Sequence, residues 1–241
     1  MPYRVVICSR NEDNLTACVK AILRNQPDLT PDRIIVVNDG LSIGDLMREF
    51  GGVFPFTIVQ GEKPFVYARN NNIGIRHAGT DDCLLTNDDA LLTTPNGFNL
   101  LAEACAAHPE IGILSPAINN VGNTNQNQAK GSTGIRYDDR MLCFSCVYIP
   151  RKTFDAVGLL EECYVAYGME DDSYSLMVRN AGLKLGILDS VFVDHGSLKS
   201  EYRGKGSGDY RPNLRIFIRK WGHDNWGKTK ENSQFPECFE D

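Results

Sequence analysis

The residues of this chain best suited to chemistry are acids in two short clusters. Asn87-Asp88-Asp89 follows the apolar run 83–86, so its carboxylates stand at the end of a strand. In an open α/β sheet ligands bind at such ends, and two adjacent carboxylates beside an amide form a hard oxygen site suited to Mg2+ or Mn2+. Taken alone, the tripeptide also reads as a polar turn. Glu170-Asp171-Asp172 opens the helical run 173–181, which ends in Gly182. Acids are favourable at a helix N-terminus, so at least one is a structural cap, but capping does not require all three. His195, after the strand 191–193, taken alone is a polar loop residue.

The elements that must position these residues follow from periodicity. Residues 4–8 read as a buried strand, followed by a helix with Leu15, Cys18, Val19 and Ile22 on one face at i, i+3, i+4, i+7 spacing. A second strand, 34–37, runs into Asn38-Asp39-Gly40, and Ser42 can cap a helix burying Leu46, Met47 and Phe50. The third strand is 57–59. A helix over 68–78, stopped by Gly79, leads into the acid-bearing strand. This alternation predicts a parallel, twisted sheet with helices on both faces. No G-x-G-x-x-G follows the first strand and no G-x-x-x-x-G-K-[ST] occurs, so any bound nucleotide must be held by side chains and a metal. Further on, the amide-rich tract 118–129 reads as a surface loop that either hydrogen-bonds a polar ligand or simply connects. A strand is expected over 141–149 and a short helix over 151–157, stopped by Gly158.

Composition bounds the rest. With 241 residues, 42% hydrophobic and 23% charged, the chain can bury a large single core. A net charge of −6 argues against a partner held mainly through nucleic-acid phosphates. There is no long apolar run, and residues 1–4 lead directly into a strand, so a soluble, cytoplasmic protein without membrane span or leader is expected. Its eight cysteines then read as reduced thiols. Cys143 and Cys146 form a lone C-x-x-C, but on a strand they would face opposite ways. Residues 199–230 carry nine Lys/Arg against three Asp/Glu and include G-K-G-S-G at 204–208. That segment reads as a basic loop able to close over a bound phosphate group or as a solvated linker, and its charge would suit an anionic partner. Residues after 231 are expected to be poorly ordered.

Four motifs in order, C-S-R-N-E, V-V-N-D-G, A-R-N-N-N-I-G and L-L-T-N-D-D, resemble those of the family 2 glycosyltransferases of GT-A fold. The resemblance continues through G-L-L-E-E-C-Y-V-A-Y-G-M-E-D-D-S-Y-S-L-M-V-R-N-A-G, then V-F-V-D-H-G and K-W-G, covering roughly residues 3–222. It implies a mostly parallel Rossmann-like sheet flanked by helices, with a smaller acceptor-side sheet. The expected organisation is one domain over 1–222, with a nucleotide-sugar half over 1–94, an acceptor half over 95–198, and a basic loop, helix and tail over 199–241.

By the same resemblance, Ser9, Arg10 and Glu12 would line base and ribose, and Asp39 would accept from a base N–H. Arg69 would approach the diphosphate or hold the base-site acids. Asn87 takes the place of the first aspartate of the family's D-x-D motif, Asp88 falls to the ribose, and Asp89 to Mn2+ or Mg2+ with His195 as a further ligand. Asp171 would be the general base and Glu170 its orienting partner. The implied activity is that of an inverting, metal-dependent hexosyltransferase, moving sugar from a nucleotide-sugar donor, a UDP-sugar first, to a hydroxyl acceptor on a glycan, lipid-linked saccharide, protein or nucleic acid. The alternatives are a sugar nucleotidyltransferase or a non-catalytic nucleotide- or sugar-binding module. The first would need a phosphate-cradling glycine-rich segment near strand one, which is absent here, and the second should lack at least one of Asp89 and Asp171, and both are present.

Overall fold

The computed structural model describes residues 3–198 and 211–222. The basic glycine-rich segment 199–210 and the tail after 222 lie outside the described residues. The first half alternates as expected. Strand β1 (Tyr3–Ser9) leads to helix α1 (Glu12–Asn25), β2 (Ile34–Asn38) to α2 (Ile43–Glu49), and β3 (Thr57–Gln60) to α3 (Tyr67–Ala78) and β4 (Asp82–Asn87). These four strands are parallel, in the spatial order β3-β2-β1-β4. In β1, Val5 and Ile7 face one core while Val6 and Cys8 face another, as the two-residue period of a strand requires.

The second half turns the sheet mixed. Short β5 (Leu91–Leu92) is followed by α4 (Gly97–Ala107), β6 (Ile111–Ile118), β7 (Ile135–Asp138), β8 (Cys146–Ile149), α5 (Arg151–Val157), α6 (Glu170–Asn180) and β9 (Lys184–Asp194). β8 lies antiparallel to β4, and β9 runs parallel to β6 and antiparallel to β5 and β7. The smaller sheet expected in this half is therefore the β5/β7/β9 margin of one continuous nine-stranded sheet. Helices α1 and α4 cover one face, and α3, α5 and α6 the other. Helix α7 (Arg211–Trp221) buries Leu214 and Phe217 against Tyr164, Met169 and Leu176. Among the described residues no helix is long and apolar enough to cross a membrane.

Three local expectations are corrected. Helix α2 has the expected Ser42 cap, whose Oγ accepts from Asp45 N, but it buries only Leu46. Met47 is exposed because adjacent residues on a helix do not share a face. The strand expected over 141–149 begins only at Cys146. Side chains take the backbone groups of 141–143 that a ladder would have used: Asn123 donates to Met141 O (2.6 Å), and Ser175 Oγ accepts from Leu142 N (3.2 Å). Gln126 completes the set by accepting from Cys143 N (2.7 Å) and donating to Cys143 O (3.1 Å). Cys143 and Cys146 consequently do not share a strand. Asn123 and Gln126 of the tract read as a surface loop supply three of these four bonds, and while most of the tract is exposed or half-buried as expected, Gln126 is wholly buried.

Helix α3 packs on the sheet through Gly74, where a Cβ would come within 2.3 Å of Val6 Cγ1 and 3.2 Å of Val37 Cγ2. Gly74→Ala is therefore expected to cost about 1–3 kcal/mol of stability, read as a lower denaturant midpoint with unchanged slope. An unshifted midpoint would show that the helix–sheet spacing is not fixed at this glycine.

Candidate active site

β1, β2 and β4 end side by side, with Ser9 opposite Asn38 and Cys8 opposite Asn87. The acids that follow are therefore gathered at one sheet edge. Asp88 and Asp89 occupy the turn after β4, each 2% exposed. Ser9 Oγ donates to Asp88 Oδ2 at 2.5 Å. Asp89 Oδ1 lies 3.2 Å from His195 Nε2, the residue after β9, yet has no hydrogen-bond partner among the described residues. His195 is held from several sides: its Nδ1 lies 3.2 Å from Asn120 O, its N–H donates to Asn119 Oδ1 (2.6 Å), and its carbonyl accepts from Asn120 Nδ2 (3.2 Å). In the tautomer that donates Nδ1–H to the Asn120 carbonyl, Nε2 turns its lone pair to the carboxylate.

Two facing lone pairs are stable only around a proton or a cation. Donors at adjacent corners of an octahedral ion stand about 3 Å apart, so the pair fits a divalent cation. A carboxylate oxygen beside an imidazole nitrogen suits Mn2+ better than Mg2+. Among the described residues no group of three or more His, Cys, Asp or Glu is placed to hold a metal, so Asp89 and His195 are the two ligands these residues offer.

Next to this pair, Asp39 is buried and takes Arg10 Nε at 3.2 Å and Lys63 Nζ at 2.6 Å. Arg10 also stacks over Phe65, 5.2 Å from its centroid. Arg69 does not enter the cleft. It pairs with Glu62 (3.3 Å) and donates to Pro64 O, holding the turn that carries Lys63. Glu12 likewise lies elsewhere, accepting from Ser42 N between α1 and α2. The structure thus brings Ser9, Arg10, Asp39, Asp88, Asp89 and His195 to one edge, and leaves Arg69 and Glu12 as braces around it.

Two cavities adjoin there. The first is lined by Phe65, Asn71, Asp88, Asp89 and His195, and the second by Cys143, Phe144, Ser145, Glu170 and Asp171. Tyr67, Asn87 and Tyr167 line both. Tyr67 ties the two sides, donating from Oη to Phe144 O (2.8 Å) and from N to Ala166 O (2.7 Å). Asn87 N donates to Ser145 O at 2.9 Å. Lys63, Phe65, Tyr67 and Tyr167 carry no mark of their own in the sequence. The available signal was position, since Tyr67 immediately precedes A-R-N and Tyr167 stands in Y-G-M-E-D.

Burial, and then the neighbouring Asp171 charge, hold the Glu170 carboxyl well above the usual carboxylate range. Burial also raises Asp171 and Asp172. Asp171 opens to the second cavity, whereas Asp172 faces Arg140 at 3.6 Å and does not line it.

The sequence model described as Glycosyl transferase family 2 matches residues 4–154. The chain belongs to this family. Two solved structures place its fold among the GT-A glycosyltransferases. The crystal structure of GalNAc-T7 with UDP, GalNAc and Mn2+ is similar with a TM-score of 0.75 at 14% identity, covering 100% of this chain and 52% of that one. A mannosyltransferase, PcManGT from Pyrobaculum calidifontis in complex with GDP-Man and Mn2+, gives 0.66 at 16% identity, covering 99% and 66%. This family 2 chain thus spans from about half to about two thirds of the length of those proteins. No curated protein matches the sequence.

Because Glu170 keeps its proton to a higher pH folded than unfolded, the native state binds more protons above the ordinary carboxylate range, and stability falls as pH rises towards the folded value. Glu170→Gln removes that loss. The melting temperature of the variant minus that of the native protein should therefore increase from pH 5 to pH 8. A difference that stays flat or shrinks would show that Glu170 is not held protonated.

Proposed function

We propose that this chain transfers a sugar from a nucleoside-diphosphate sugar, UDP-sugars being the first to test, to a hydroxyl acceptor by a single inverting displacement. The observation that carries the reading is the shared wall: a cavity with a cation-ready carboxylate–imidazole pair abuts one with a carboxylate of raised pKa. The UDP of the GalNAc-T7 structure and the GDP-Man of the mannosyltransferase define the two donors to compare.

Asp39, with Arg10, Lys63 and Phe65, would receive the base, and Asp88 the ribose. Asp89 and His195 would hold Mn2+, with Mg2+ the poorer fit. When bound, that ion supplies positive charge to the leaving diphosphate. Arg69 would act by fixing the Lys63 turn. Asp171 would take the proton of the attacking hydroxyl, at the edge of the second cavity, and Glu170 would orient it. Raised basicity suits that work, because proton transfer is best served by a group whose pKa lies nearer the working pH. Among the described residues, the carboxylates of the first cavity are engaged by Ser9 or paired with His195, so a covalent double displacement finds no evident nucleophile.

Calorimetry with UDP or GDP, with and without Mn2+, tests the donor site. Asp89→Ala should abolish the metal-dependent part of nucleotide affinity, and retention of that part would reject the metal assignment.

Transfer assays test the base. Asp171→Asn should bind nucleotide normally yet lose at least about 10²-fold in turnover, while Asp172→Asn loses far less. Near-normal transfer by Asp171→Asn rejects its role, and an equal loss in Asp172→Asn moves the base one residue along.

A further inference from the structure

Between the buried Tyr164 and the first turn of α6, the segment 165–168 forms the wall common to both cavities. Tyr167, 37% exposed, is its contribution to that wall. The backbone there is unusual: Ala166 has φ +54° and Met169, immediately before α6, has φ +75°. Non-glycine residues hold left-handed conformations only where surrounding contacts over-determine them. A short segment with two such residues needs an external clamp.

That clamp is a single side chain from a distant part of the chain. Asn213, on α7 and only 2% exposed, accepts from Val165 N (2.8 Å). Its Nδ2 donates to Val165 O (2.8 Å), Gly168 O (2.9 Å) and, more weakly, Tyr167 O (3.2 Å). An amide is the group that can do this, offering one acceptor and two donors in a plane. Tyr67 N adds a bond to Ala166 O from the opposite side. α7 lies beyond the residues matched by the family model, and its other anchors act on the neighbours of the segment: Leu214 and Phe217 pack with Tyr164, Met169 and Leu176, Lys220 pairs with Glu161, and Trp221 Nε1 donates to Ser173 Oγ (2.8 Å).

We infer that Asn213 is a positioning residue: it holds segment 165–168 in its left-handed conformation, and so sets where Tyr167, Glu170 and Asp171 stand relative to the donor cavity. The inference rests on the proposed transferase reading for its catalytic consequence, but not for its structural one. Because the base and ribose are assigned to Asp39, Arg10, Lys63, Phe65 and Asp88, none of which lies in this segment, loss of the clamp should change acceptor use rather than nucleotide binding.

The test uses the full chain with Asn213→Ala, Asn213→Asp and Trp221→Phe. Asn213→Asp keeps the acceptor but turns a carboxylate towards three carbonyls, so it should be the worst of the three. Trp221→Phe weakens α7 docking without touching the clamp. Hydrogen exchange of amides 165–169 should accelerate in both Asn213 variants and not in Trp221→Phe. Mn2+-dependent UDP affinity should stay within about threefold while turnover falls and acceptor KM rises, together by at least about tenfold in kcat/KM. Unchanged exchange at 165–169 overturns the inference, as does an equal loss of transfer in Trp221→Phe, which would make Asn213 one docking contact among several. If the native chain transfers no sugar from any donor, the transferase reading fails, and exchange alone still decides whether Asn213 holds the segment.

Discussion

Burial of carboxylates at one sheet edge is the constraint around which this molecule is arranged. A carboxylate removed from water costs several kcal/mol unless it is paired, hydrogen-bonded or neutralised, and the edge gathers Asp39, Asp88, Asp89 and Glu170, all nearly inaccessible. Each is answered differently. Asp39 receives two cations, Asp88 a hydroxyl and Glu170 a shift towards the protonated state, while Asp89 faces an imidazole and is completed by a shared proton or a cation. The partners come from β1, the 61–64 turn and the end of β9, so the sheet order β2-β1-β4 and the return of β9 are what make the burial tolerable.

The same accounting explains the second half of the fold. Residues 141–145 carry enough apolar side chains to read as a strand, and periodicity alone would extend β8 through them. Asn123, Gln126 and Ser175 take the backbone groups instead, and Arg136 in turn binds the carbonyls of Asn125 and Asn127. Ending the ladder early leaves Cys143, Phe144 and Ser145 to line a cavity. The amide-rich tract therefore works on the protein's interior: its first residues steady His195 and its later ones open the second cavity.

What could be read from the sequence is what short-range periodicity and strand-end chemistry encode. The β-α alternation through residue 87, the buried face of α1, the Ser42 cap and the acids at the β4 turn all follow from neighbours within about seven positions. The mixed direction of β8, the β5 and β7 pairings and the placement of Arg69 depend on partners chosen across the sheet. Arg69 illustrates the limit, because a motif fixes which residue is present but not whether its guanidinium turns into the cleft or onto an adjacent turn. Lys63 and Asn213 were illegible for the same reason: their partners lie 24 and 45 to 48 residues away.

The separation between the two carboxylate groups follows from these long-range bonds. Asn87 N to Ser145 O joins the β4 turn to the floor of the second cavity through main chain on both sides. Tyr67 Oη to Phe144 O and Tyr67 N to Ala166 O add two more ties that begin at one residue. The two main-chain ties, Asn87 N to Ser145 O and Tyr67 N to Ala166 O, do not relax by changing rotamer, so the sheet and α3, together with the Asn213 clamp on 165–168, hold the Asp89–His195 pair and Asp171 apart. A site assembled this way can vary its lining residues while keeping the spacing on which a displacement between two bound molecules depends.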